Sequence, residues 1–132
     1  MPLFPKPLRT GDLIAVTAPS SGVSGPAIAR LDLVFKHLRS LGYRIAEGKC
    51  LRSEYKNASA PREQRAQELM QFLTDPNVSA ILPPWGGELA TELLDLLDFE
   101  MLRSVQPKWL LGFSDLSTLQ LPLTLVSGWA TA

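Results

Sequence analysis

The chain has 132 residues, 45% of them hydrophobic and 20% charged, and its formal net charge is zero. That excludes a disordered polyelectrolyte and suits one soluble globular domain with its own core. The single cysteine, Cys50, excludes an intrachain disulfide and fits a reducing compartment.

The neutral total hides a division. Residues 1–66 carry 11 Lys/Arg and 5 Asp/Glu, whereas residues 67–132 carry 2 and 8. Nucleic-acid binders keep a clustered basic surface without such compensation, so no nucleic-acid partner is expected. Solvated helix faces that attract one another across the halves are expected instead. The opening Met-Pro-Leu-Phe-Pro-Lys-Pro is broken by prolines and does not read as a signal peptide. No run approaches the ~20 apolar residues of a membrane span, which leaves the cytoplasm as the expected location.

Leu13 to Val16 is short and continuously apolar, as a buried parallel strand should be. It runs into a turn-rich loop, Ala18 to Gly22. Ser24 is placed to cap a helix with Pro26 in its first turn, and Ile28, Leu31, Val34, Phe35, Leu38 and Leu41 recur at helical spacing before Gly42 stops it. Tyr43 to Ala46 is a second strand, and 47–60 is loop. Pro61 opens a second helix with the stripe Ala66, Leu69, Met70 and Leu73, closed by Asp75-Pro76-Asn77. Val78 to Leu82 is a third strand, ending in Pro83-Pro84-Trp85-Gly86-Gly87. A third helix is expected over 88–97, with Leu89, Leu93, Leu94 and Leu97 inward. Lys108 to Leu111 is a fourth strand, followed by Gly112-Phe113-Ser114-Asp115 and a helical segment to about Val126 that Pro122 should kink.

Strands alternating with helices imply an α/β fold: a mostly parallel sheet with helices on both faces, three layers, of the flavodoxin or Rossmann kind. Ligands of such sheets bind beyond the carboxyl ends of the strands, where loops 18–24, 83–88 and 112–115 emerge.

Ser114 lies between an apolar strand and a helix, the setting of a nucleophile elbow. Free N–H groups at the helix start can stabilise an oxyanion there. Position 116 is Leu, so G-x-S-x-G is incomplete, and a plain helix cap by Ser114 or Asp115 suits the same residues. Gly86 and Gly87 allow close backbone approach to a ligand, or simply a turn with positive φ. Ser20 and its neighbours could line a pocket or only turn the chain. No G-x-G-x-x-G is present, which argues against a flavodoxin-like nucleotide or flavin binder. A serine nucleophile needs a base, and the one histidine, His37, falls on the first helix, away from the sheet's carboxyl edge. Cys50 has no evident histidine partner.

The ordered set Asp12-Leu-Ile-Ala-Val-Thr-Ala-Pro-Ser20, Gln64-Arg65-Ala66 through Leu69, Asp75-Pro76-Asn77-Val78, Gly86-Gly87 and Gly112-Phe113-Ser114-Asp115 resembles the LD-carboxypeptidase family, which includes murein tetrapeptide carboxypeptidases and microcin-immunity peptidases. The resemblance spans residues from about 9 to 130. It implies a serine peptidase with a Ser-His-Glu triad and neither metal nor organic cofactor. Ser114 would be the nucleophile. The N–H of Asp115 and that of Gly86 or Gly87 would hold the oxyanion. The glutamate and histidine would come from a C-terminal domain outside residues 1–132, so this chain would be the N-terminal, nucleophile-bearing domain. Alone it would be inactive and would expose apolar surface. Family members are often dimers. The loop Trp85-Gly86-Gly87-Glu88 is closer to the microcin-immunity branch than the Arg-Gly-Gly-Tyr of many murein-recycling members. Trp85, Glu88 and Ser20 are thus the expected substrate contacts, for a murein tetrapeptide or an aminoacyl nucleotide. The alternative is a catalytically inactive α/β binding module.

Overall fold

The computed structural model describes residues 1–132. Strands β1 (Leu13–Val16), β2 (Arg44–Glu47), β3 (Val78–Ile81) and β4 (Trp109–Leu110) form one sheet in the order β2-β1-β3-β4. Every pairing is parallel. Helices α1 (Ala27–Ser40), α2 (Arg62–Thr74) and α3 (Ser117–Leu125) complete the α/β fold.

Alternation along β1 sorts the layers. Ile14 and Val16 pack with Leu31 and Phe35 of α1 on one face. Ala15 packs with Leu69 and Leu73 of α2 and Leu119 and Leu123 of α3 on the other. These leucines are almost wholly buried, and each such side chain contributes roughly 1.5–3 kcal/mol of transfer free energy. The chain leaves β1 towards β2 on one side and reaches β3 on the other. The carboxyl ends of β1 and β3 therefore flank a topological switch point, where open α/β sheets place their ligands. Beside β4, the N–H of Ala132 bonds the Leu110 carbonyl (3.2 Å), and the N–H of Gly112 bonds the Ala132 carbonyl (2.8 Å). That continues the parallel pattern to the start of the Ser114 loop.

Several local expectations need correction. The segment 88–97 is not a third helix: it forms a 3₁₀ turn at Ala90–Leu93, and a second follows at Met101–Ser104. Within it the N–H groups of Glu92, Leu94 and Leu96 bond carbonyls three residues back, the tighter 3₁₀ pattern, and the Asp115 and Asp98 carboxylates accept the leading N–H groups of Ala90 and Met101. Leu93 and Leu97 do point inward, but Leu94 is exposed. Ser24 does not cap α1: Gly25 adopts φ +56 and Pro26 occupies the cap position without a side-chain bond. Within α1 only Leu31 and Phe35 are buried, and Val34 and Leu41 face solvent. Gly42 does terminate it, at φ +91.

The charge division reappears as contacts. Arg62 pairs with Asp95 (3.1 Å) and Arg65 with Glu92, so α2 of the basic half is tied to the acidic segment after β3.

Candidate active site

Three loops leave neighbouring strands at one edge of the sheet: that of Ser20 after β1, of Gly86 and Gly87 after β3, and of Ser114 after β4. Ser114 starts a 3₁₀ turn, Ser114–Leu116, that leads directly into α3. Its φ is +61, in the left-handed region. A non-glycine residue held there costs roughly 1–2 kcal/mol, which the surrounding contacts must offset. Phe113 before it is extended and 73% exposed, and Ser114 itself is solvent-accessible.

Asp115 joins the loops. Its Oδ2 accepts the Ser20 hydroxyl (2.6 Å) and the Ala90 N–H (3.0 Å). Its Oδ1 is buried without a hydrogen-bond partner. The Asp115 side chain is thus a clip between loops and not a helix cap. Ser20, expected at the substrate, is fully buried, its hydroxyl committed to Asp115 and within 3.4 Å of the Leu89 N–H. It forms the back of the site in this structure.

The paired glycines are needed for space, because neither has a positive φ. A Cβ on Gly86 would lie 2.8 Å from Asp115 Oδ1 and 3.0 Å from Ser114 Cβ. One on Gly87 would lie 2.4 Å from the hydroxyls of both Ser20 and Ser21. Gly86 therefore abuts the elbow, and Gly87 abuts the loop after β1. Trp85 is partly exposed and donates its indole N–H to the Ser21 carbonyl (3.1 Å). Glu88 is exposed on a polar cleft of about 550 Å³, shared with Ser21, Ser24, Glu54 and Asn57.

Below the loops lies a residue whose part the sequence reading missed. Arg65 of α2 is only 1% exposed. Its Nε donates to the Ala60 carbonyl (2.7 Å), Nη1 to those of Pro19 (2.7 Å) and Leu89 (3.0 Å), and Nη2 to Glu92. Pro19 and Leu89 immediately precede the two groups that Asp115 clips. The signal was in the spacing, since Arg65, Leu69 and Leu73 recur every four residues on one helix face. Glu68, also missed, accepts the Thr17 hydroxyl and the Cys50 N–H.

His37 is exposed on α1. Cys50 is buried, and that burial, with Glu68 beside it, pushes its thiol up from 9.0 to about 11. It is a poor nucleophile at neutral pH. Because the folded pKa is raised, the thiol's contribution is full below pH 9.0. It is lost as pH rises towards about 11, where the unfolded chain ionises first. Urea midpoints at about pH 8 and about pH 10.5 should show this fall, and Cys50→Ala should flatten its share. An equal fall in Cys50→Ala would rule the thiol out.

A parallel sheet whose carboxyl edge presents a strained serine turn against a double-glycine loop places this chain among α/β proteins with a strand–elbow–helix site. A family model described as the LD-carboxypeptidase N-terminal domain matches residues 14–132, and the chain belongs to that family. A putative carboxypeptidase of Vibrio cholerae is 36% identical over 130 residues, covering 98% of this chain and 38% of that relative. The crystal structure of an MccF-like protein from Bacillus anthracis superimposes with TM-score 0.86 at 31% identity, covering 98% of this chain and 39% of that one. The microcin C7 self-immunity protein MccF, in complex with adenosine monophosphate, gives 0.84 at 27%, covering 98% and 38%. The chain thus spans well under half the length of these relatives. At the level of the family, the activity is that of a carboxypeptidase, a hydrolase. No helix is long and apolar enough to cross a membrane.

Proposed function

We propose that this chain is the nucleophile-bearing N-terminal domain of a cytoplasmic serine carboxypeptidase. The observation that carries the reading is the left-handed Ser114, held against Gly86 and followed by Asp115 at the head of the turn into α3. Ser114 Oγ attacks the substrate carbonyl and gives its proton to a histidine supplied from outside residues 1–132, which a glutamate orients. The Asp115 N–H and one from the double-glycine loop hold the oxyanion; Gly86, packed on the elbow, is the nearer of that pair. The histidine returns the proton to the leaving amine, and water then releases the acyl group. No metal or organic cofactor takes part.

The substrate is a small peptide or peptide-like amide: an L–D bond of a murein tetrapeptide, or the amide of an aminoacyl nucleotide. Trp85 and Glu88, both reachable from solvent, are its proposed contacts. The exposed Phe113 beside Ser114 offers apolar surface to the C-terminal domain, and a homodimer is the proposed assembly.

A second reading, an inactive binding module, is favoured for residues 1–132 alone by the position of His37, far from any role beside Ser114. The test joins this domain to the C-terminal part of the Vibrio cholerae relative. The chimera should release the terminal D-amino acid of a murein tetrapeptide or hydrolyse an aminoacyl sulfamoyl nucleotide, whereas residues 1–132 alone should do neither. Turnover by residues 1–132 alone would sink the proposed division of the triad.

A further inference from the structure

The opposite edge of the sheet carries a second polar concavity, remote from Ser114. A cleft of about 520 Å³ opens where β1, β3 and β4 begin, lined among others by Lys6, Arg9, Asp12, Ser79, Gln106 and Lys108. Lys108 is the unusual member, since it is only 4% exposed. A lysine this buried is ordinarily paired, because removing an ammonium from water costs several kcal/mol. Here no hydrogen bond or ion pair engages it, and burial lowers its pKa while the charge of Asp75 opposes that. Asp75 is itself occupied, its Oδ1 accepting the backbone and side-chain N–H groups of Asn77 (2.8 and 3.1 Å). On the cleft wall, Asp12 spends Oδ2 on the Arg9 N–H (2.8 Å).

We propose that this cleft binds a small phosphate-bearing ligand, with the Lys108 ammonium reaching it at the end of an otherwise buried side chain and Lys6 and Arg9 at its rim. Three cations less the Asp12 carboxylate leave two positive charges on the wall, and one once the Asp75 carboxylate that acts on Lys108 is counted. A phosphate group brings about −1.5 to −2 at neutral pH and three acceptor oxygens, which a single carboxylate does not match. Ser79 and Gln106 supply neutral donors. The cleft exceeds the size of a bare ion, which leaves room for the organic part of a phosphomonoester. This inference stands apart from the function proposed for Ser114, which lies at the other end of the strands.

The test is an amide NMR titration of the chain, at neutral pH and constant ionic strength, with inorganic phosphate, glycerol 2-phosphate, acetate and chloride in turn. Phosphate, its monoester or both should give saturable shifts centred on Ser79, Gln106 and Lys108; acetate and chloride should not. Preference for the monoester identifies an organic phosphate, and equal binding identifies the free ion. Lys108→Met should weaken binding by about tenfold or more, since it removes a desolvated charge partner. Should that variant fold poorly, Lys6→Gln combined with Arg9→Gln alters only exposed positions and should weaken binding severalfold. Unsaturable shifts, equal response to acetate, or undiminished binding by the folded variants would overturn the proposal.

Discussion

Ser114→Ala should abolish hydrolysis by the completed enzyme, lowering kcat by about 10⁴–10⁶ and leaving KM nearly unchanged. The split between the constants follows from what the substitution removes. In the proposed mechanism the hydroxyl is the bond-forming group, whereas the proposed contacts Trp85 and Glu88 and the glycine loop remain in place. Residual turnover would come from the oxyanion donors alone. Steady-state assay of the chimera with and without the substitution checks the effect, and a loss of less than tenfold would mean that another group attacks. A companion variant separates chemistry from strain. At φ +61 a glycine is unstrained, so Ser114→Gly should be equally inactive yet about 1 kcal/mol more stable. A stable but dead variant is the signature of a position where function has been favoured over conformational ease. If Ser114→Gly instead destabilises the domain, the left-handed turn is not the reservoir of strain described above.

The sheet was legible because its strands are apolar runs bounded by turn residues, and such runs have few other uses. β1 coincides with the expected segment, β2 is shifted one residue towards the C-terminus, and β3 ends one residue early. β4 is shorter than expected, because Lys108 and Leu111 fall outside its paired core. The helix expected after β3 was misread for a physical reason. Leu89, Leu93 and Leu97 do recur at helical spacing, but the N–H groups of Glu92, Leu94 and Leu96 bond carbonyls three residues back instead of four. Periodicity records which side chains go inward; it does not record where backbone hydrogens are spent. The double glycine shows the same limit. Sequence left a positive-φ turn and a close backbone approach to a ligand both open; neither glycine has a positive φ, and each packs against a neighbouring loop. Ser20 is an expected substrate contact, yet its hydroxyl is spent on a bond to a residue 95 positions away.

Arg65→Ala should destabilise the domain by about 3–5 kcal/mol, the largest structural effect expected of a single side chain here. The guanidinium is the shared donor for the carbonyls of Pro19, Ala60 and Leu89, and removing it leaves these acceptors facing a cavity. Glu92 carries less of the cost, because its side chain is 38% exposed and water can take over. Glu92→Gln should therefore cost well under half as much, about 1 kcal/mol or less. Arg65→Lys is the informative intermediate. A lysine keeps the charge but lacks the planar fork that reaches three carbonyls at once, so it should fold with a loss of about 1–3 kcal/mol. Urea denaturation of the three variants orders them, and a loss below about 1 kcal/mol for Arg65→Ala would show that the buried cation adds nothing net. The consequence extends to the site. Pro19 precedes Ser20 and Leu89 precedes Ala90, and both of these bond the same oxygen of Asp115. A folded Arg65→Lys chimera should then lose kcat, because loosening these loops shifts Gly86 relative to Ser114, and KM should rise as well, because Glu88 precedes Leu89 and Trp85 is bonded to Ser21. A cation that sequence inspection passes over on an otherwise apolar helix face thus ties together two of the three loops at the proposed site.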